Sequence, residues 1–213
     1  VCSLRPHEDK FTFSAVFEMD EEAKVHKEWF GRTVIHSDRR FTYEEAQERI
    51  ETKQGDLTEE ILQLDKLAKI MRNERIRNGA ITFDRSEVRF NLDDESNPIG
   101  VYFKVSKDSN HLIEEFMLIT KKKVSEFISL NKRKEPTGNT FIYRIHDDPD
   151  PAKLKSLQEF VFSFGYKMDL ANTKKVAESL NRLLSDVKGK GEENMIETLA
   201  MRSMSKAVYS TDP

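Results

Sequence analysis

Ionisable residues that cluster along the chain are the first candidates for chemistry. Asp93-Asp94-Glu95 and Asp147-Asp148 place carboxylates side by side, where a cation could be held. Acidic residues in turns more commonly solvate a loop or satisfy its own amides. Arg39-Arg40, Arg72 to Arg77, Lys121-Lys122-Lys123 and Lys132-Arg133-Lys134 could meet phosphate. Each also reads as a solvated helix face or loop, the commoner meaning of such a run. His7, His26, His36, His111 and His146 show no paired metal-ligand spacing on a helix. The 8 glycines include no phosphate-binding or dinucleotide loop. Cys2 and Ser3 have neither a nucleophile elbow nor an evident base.

Composition narrows the class. The chain has 213 residues, 35 Lys+Arg against 38 Asp+Glu, and a formal net charge of −3. It is therefore no bulk polyanion binder of the histone type, although a local basic channel is compatible with that total. No run approaches the roughly 18 apolar residues of a spanning helix, which argues against a membrane protein. One cysteine excludes an internal disulfide and a Cys-based zinc site. The 14 Phe are too many for a disordered chain. No signal peptide is visible, and a chain that opens on Val1 reads as a piece of a longer or processed protein.

The elements that must position these groups follow from periodicity. Phe11, Phe13, Ala15, Phe17 and Met19 alternate with polar residues, predicting a strand with one buried face. Val25 to Ile35 is a second extended run, and the two suggest a long antiparallel hairpin. Thr42 and Glu45 have capping-box spacing, with Tyr43 at the first helical position. Asp56 and Glu59 repeat it before a longer helix with a Leu57, Ile61, Leu64, Ala68, Met71 stripe that closes at Asn78-Gly79. Extended runs follow at Ile81 and Phe83, Val88–Leu92 and Ile99–Val105. A helix spans about Asp108 to Leu130, then a charged loop over Asn131–Gly138 and a strand over Phe141–His146. Asp150-Pro151 starts a helix with a Leu154, Leu157, Val161, Phe164 stripe. Val176, Leu180, Leu183 and Val187 mark another, and a last helix is predicted over Met195–Tyr209. Strands, helices, strands and helices in blocks imply an α+β fold, with a mixed or antiparallel sheet flanked by helices. Taken alone, these features describe a soluble, cytosolic-type protein with scattered basic patches.

Six short elements, in order, carry a resemblance. Cys2-Ser3-Leu4 with Pro6 resembles the "CSL-x-P" element of the ribonuclease II/ribonuclease R family. Arg40-Phe41-Thr42-Tyr43 resembles its "(R/K)-L-(T/V)-Y", and Gly79-Ala80-Ile81-Thr82-Phe83 its "GA-(I/L)-x-F". Leu112-Ile113-Glu114-Glu115-Phe116-Met117 matches "LIEEFM". Tyr143-Arg144-Ile145-His146-Asp147 with Pro149 matches "(F/Y)RIHD-x-P". Leu199, Arg202-Ser203-Met204, Ala207 and Tyr209 match "L-x-x-RSM-x-x-A-x-Y". The set spans nearly the whole chain, with ribonuclease R the nearer of the two types. Lys121 stands where the family usually shows Asn, and Lys10 where Arg is common.

The resemblance implies the central part of an RNB-type catalytic domain over residues 1–213. It implies a processive hydrolytic 3′→5′ exoribonuclease that degrades single-stranded RNA to nucleoside 5′-monophosphates in the cytoplasm. DNA preference and a membrane partner are not implied. Magnesium would be held by an aspartate cluster upstream of the CSL element, and a catalytic arginine would sit in a later "SPIRRYPDL" element. Neither is in this chain, so no catalytic or metal residue is assigned and this segment alone is expected to be inactive. Cold-shock and S1-type modules would flank it.

Three RNA contacts carry over from the resemblance. Phe83 would stack on the terminal bases; its plainer reading is a core strand residue beside Ile81. Tyr43 would lie near the 3′-terminal nucleotide; otherwise it is a packed first-turn aromatic. Glu114 would accept from the terminal ribose hydroxyl, whereas its neighbour Glu115, about 100° further round the helix, reads as a solvated face. Arg144, His146 and Arg202 receive no role, and Arg202 is expected to pair with a carboxylate such as Asp147 rather than bind phosphate. A non-catalytic relative that binds RNA or a protein is the alternative. A free-standing helical module is disfavoured by its unpaired apolar strand edges.

Overall fold

The computed structural model describes residues 3–83, 87–131 and 133–212. Cys2 of the amino-terminal motif and Lys132 of the basic loop lie outside the described residues. The elements run β1 (Asp9–Met19), β2 (Val25–His36), α1 (Tyr43–Thr52), α2 (Thr58–Arg77), β3 (Glu87–Leu92), β4 (Pro98–Lys104), α3 (Asp108–Ser129), β5 (Tyr143–His146), α4 (Pro151–Phe162), α5 (Thr173–Val187), α6 (Glu193–Ser203) and β6 (Ala207–Ser210). The strands pair as three two-stranded antiparallel sheets, β1–β2, β3–β4 and β5–β6. This is the α+β class that the sequence implies. Among the described residues, no helix is long and apolar enough to cross a membrane. The chain divides into two compact units: Val1–Asn73 with Arg85–Glu135, and Glu74–Asp84 with Pro136–Pro213.

In the first unit, the β1–β2 hairpin forms as its alternation predicts, but its shielding differs. Phe11 and Phe13 are 93% and 77% exposed, while Thr12 and Ser14 are half-buried. The Thr33 hydroxyl lies 2.6 Å from both of the latter, so the polar side of the hairpin closes on itself. The far end is covered by rings. Phe17 meets Phe30 edge-on at 6.0 Å, and Phe30 lies 4.7 Å from Phe127 of α3. Helix α1 begins with the predicted capping box. The Glu45 N–H donates to Thr42 Oγ1 at 3.1 Å, and the Thr42 N–H to Glu45 Oε2 at 2.8 Å.

Helix α2 departs from its predicted start. Asp56 does not cap it, because Arg39 Nε and Arg49 Nη2 take its carboxylate at 3.0 and 2.8 Å. Those hydrogen bonds, that of Arg49 first, hold the Asp56 carboxyl below its ordinary pKa. The chain turns through Leu57 at positive φ, and the helix starts at Thr58. Ile61 and Ala68 of the predicted stripe are buried as expected, but the stripe is not continuous. Leu57 and Leu64 are exposed, while Asp65 is buried with Lys69 Nζ at 2.7 Å. The same ammonium reaches Asp108 of α3 at 2.8 Å, so an ionic bridge rather than leucine occupies this side of α2.

The second unit carries a continuous apolar core. Leu154, Leu157 and Val161 of α4, Val176, Leu180, Leu183 and Val187 of α5, and Ile196 and Ala200 of α6 are buried together. Their i, i+3, i+4 spacing is what three packed amphipathic helices require. Phe164, predicted to continue the α4 stripe, lies past the helix end and is exposed. Asp150 caps α4 through the N–H groups of Ala152 and Lys153, with Pro151 in the first turn. The predicted Met195–Tyr209 helix is shorter. It ends at Ser203, whose buried hydroxyl donates to Ala200 O at 2.6 Å, and Ala207–Ser210 pairs with β5 instead.

Candidate nucleic-acid contacts

Phe83 follows irregular backbone rather than the expected strand. The reason is Asn181 of α5, whose Nδ2 donates to Ala80 O at 2.8 Å and whose Oδ1 accepts from the Thr82 N–H at 3.1 Å. The side chain amide supplies the bonds that a neighbouring strand would have made. Ile81 and Phe83 rest against the core of α4, α5 and α6. Phe83 is half-buried, and it lines a cavity of about 1270 Å³. It is thus both a core-packed ring and a surface offered to an open space.

That cavity lies wholly within the second unit. Among the described residues, five cationic side chains line it, Arg75, Arg144, Lys153, Arg202 and Lys206, against two carboxylates, Asp147 and Asp150. Asp150 is engaged as the α4 cap, and the Lys153 N–H is the leading cause that holds its carboxyl below the ordinary pKa. Arg202 and Asp147 share the lining, yet no ion pair joins them among the described residues. The pairing expected for Arg202 is therefore not what this structure contains. Sequence reasoning also missed Lys206 and Asn181. An isolated Lys after a helix, or an Asn beside buried leucines, carries no signal until its neighbours are known.

Tyr43 and Glu114 belong to the first unit. Tyr43 opens α1 with its ring exposed, and Lys104 Nζ lies 5.6 Å from the ring centroid. It lines a cavity of about 300 Å³ with Tyr102, Lys107 and Asn110. Glu114 and Glu115 part company on α3. The Glu114 side chain is 46% exposed, with Arg72 Nη1 at 3.5 Å and His111 Nδ1 at 3.3 Å from its Oε2. Glu115 is 3% exposed, 3.9 Å from the same Arg72, so the solvated face expected for it is instead interior. A buried carboxylate needs a cation close by, and Arg72 is one such neighbour.

Single members of the remaining clusters make structural contacts. Arg39 donates to Glu45 and Asp56 and lies over the Phe41 ring at 4.7 Å. Lys123 bridges Glu28 and Glu126. Asp93 accepts from the N–H groups of Glu95 and Asn97, folding its own turn. Among the described residues, no group of three or more His, Cys, Asp or Glu could hold a metal ion.

The RNB domain model matches residues 1–213. Human exosome complex exonuclease RRP44 is 34% identical over 98% of this chain and 22% of its own length. Ribonuclease R of Aquifex aeolicus is 30% identical over 99% of this chain and 30% of its own length. The chain thus spans under a third of the length of these relatives. A structure of Mycoplasma genitalium RNase R in complex with ribose-methylated single-stranded RNA superposes with a TM-score of 0.81, at 22% identity, covering 100% of this chain and 33% of the other. That likeness establishes a shared fold for the full set of helices and hairpins. With a family match that runs from the first residue to the last, the chain belongs to the RNB domain family.

Proposed function

We propose that this chain forms part of the catalytic domain of a processive, hydrolytic 3′→5′ exoribonuclease of ribonuclease R type, acting on single-stranded RNA and releasing nucleoside 5′-monophosphates. The observation that carries the reading is Phe83. Its ring is held by a clamped backbone at a large cavity in a chain whose relatives include ribonuclease R and an exosome exonuclease.

The chain's own residues would form walls of the RNA channel. Phe83 would stack on a base, a contact worth about 1–3 kcal/mol that tolerates any sequence, because every base has a π face. An enzyme that removes nucleotides one after another needs that tolerance. Tyr43 would contact the 3′-terminal nucleotide with an exposed ring. Glu114 would accept from the 2′-hydroxyl, a donor that RNA has and DNA lacks. Hydrolysis itself would fall to Mg²⁺ held by an aspartate cluster upstream of the CSL element. Flanking cold-shock and S1-type domains and a cytoplasmic location belong to the same proposal.

The test supplies the protein at its full natural length with magnesium and uniformly labelled oligoadenylate. Monophosphates should accumulate while uncut substrate persists, the signature of processive release. The 213-residue chain alone should release none. RNA binding by the full-length protein without monophosphate release would overturn the catalytic reading and leave a binding protein.

A further inference from the structure

We propose that Arg144, Arg202 and Lys206 form a phosphate-binding rail that grips the RNA backbone beside Phe83; this rests on the RNA reading above. The three side chains come from different places: β5, the last turn of α6 and the α6–β6 link. Their convergence is fixed by backbone ties. Ser205 Oγ donates to Asp148 O at 2.7 Å, His146 Nδ1 lies 3.3 Å from Ser205 O, and the Asp150 N–H donates to Ser203 O at 3.0 Å. The α6–β6 link is thus sewn to the stretch between β5 and α4. That stitching turns Arg144, Arg202 and Lys206 into one cavity lining.

Their electrostatics call for a ligand. Among the described residues, none of the three makes an ion pair or a side-chain hydrogen bond. The chain has more acidic than basic residues, so partners were available in number. Elsewhere its cations do pair, as Arg39, Arg49, Lys69 and Lys123 show. Three unpaired cations sharing one concavity repel one another, and a polyanion relieves that repulsion. Guanidinium groups present the planar fork that matches phosphate oxygens. The cavity's 1270 Å³ exceeds the roughly 300–1,000 Å³ of small-ligand sites, which suits a polymer passing through. With the Phe83 ring in the same lining, base stacking and phosphate contacts are offered together, the chemistry of a single-stranded nucleic acid held without regard to sequence.

The experiment measures binding of fluorescein-labelled oligoadenylate and oligouridylate to the full-length protein in EDTA, as a function of salt. Each phosphate contact on a single strand contributes about 0.7 to the slope of log K against log salt. Arg144→Gln, Arg202→Gln and Lys206→Gln should each lower the slope by about that amount, equally for both RNAs. Arg144→Lys should keep it near the wild-type value. The exposed surface lysine control, Lys155→Gln, should leave it unchanged. If all three slopes stay at the wild-type value while Phe83→Ala weakens binding, the rail is wrong and the RNA reading survives. If wild-type protein binds neither RNA, both fall.

Discussion

Asn181 grips the backbone on both sides of Ile81, from Ala80 O to the Thr82 N–H. The amide sits on α5 next to Leu180, which is fully buried, so the clamp is anchored in the core of the second unit. A segment without regular structure thereby holds the Phe83 ring in a defined place. Asn181→Ala removes both bonds and leaves two backbone groups without that partner. The expected cost is about 1–3 kcal/mol. RNA affinity should fall in the same direction as in Phe83→Ala, and Asn181→Asp, which keeps the acceptor for Thr82 and loses the donor to Ala80, should lie between. Anisotropy titrations alongside chemical denaturation separate the two effects. Wild-type affinity in Asn181→Ala would mean that packing of Ile81 alone places the ring.

Phe83 and Glu114 make separable predictions. Phe83→Ala should weaken the hold on the RNA 3′ end and change the length of the final undegraded product, read on a sequencing gel. Glu114→Ala should instead relax discrimination against a terminal deoxyribose, leaving the end-product length alone. Unaltered discrimination would return Glu114 to an ion-paired surface role with Arg72 and His111.

Much of this was legible in the residues. The Thr42–Glu45 capping box, the Asp150-Pro151 start and the α5 stripe are local patterns, set by neighbours within four positions, and the structure contains all three. What escaped was decided by partners distant in sequence. Asp56 has every attribute of an N-cap, but two arginines claim it. Tyr209 looked helical until β5 offered it Arg144 as a strand partner. Glu115 looked solvated because Arg72 lies 43 residues away and gives no local sign. The candidate contacts themselves came from resemblance, whereas the cavity cations became visible only through burial and pairing.

Trp29 lies over Gly31 in β2. A Cβ built on Gly31 would stand 2.5 Å from two atoms of the indole ring, so a methyl group cannot coexist with the ring's present position. Gly31→Ala should push the indole outward from its half-exposed site. As Trp29 is the single tryptophan, intrinsic fluorescence reports this directly, with a red shift and stronger quenching by iodide. An unchanged spectrum would show that the β2 backbone yields instead.

Leu180 is the deepest test of the helical core, fully buried among α4, α5 and α6. Leu180→Ala should cost about 2–5 kcal/mol, through lost transfer energy and a cavity that tight packing cannot collapse. Leu64→Ala on α2 should cost far less, because Leu64 is exposed although the sequence pattern placed it on the buried stripe. Urea denaturation of the two variants decides between the observed burial and the periodic pattern, and equal costs would contradict the structure.

Asp150 gives the pH prediction. Its carboxylate accepts from the Lys153 N–H first and also from the Ala152 N–H, which together outweigh desolvation and lower its folded pKa below the ordinary 3.8. A depressed folded value means that the charged form is the one that folding favours. The contribution is therefore complete above the unfolded value and is lost as pH falls through the lower folded one. Asp150→Asn keeps a capping oxygen but cannot titrate. The difference in thermal midpoint between wild type and Asp150→Asn should thus be constant from pH 7 down to about 5 and shift against wild type below about 4. Taking the difference cancels the titration of every other carboxylate common to the two proteins. A midpoint difference that does not move with pH would show that the Asp150 cap holds as well protonated as charged.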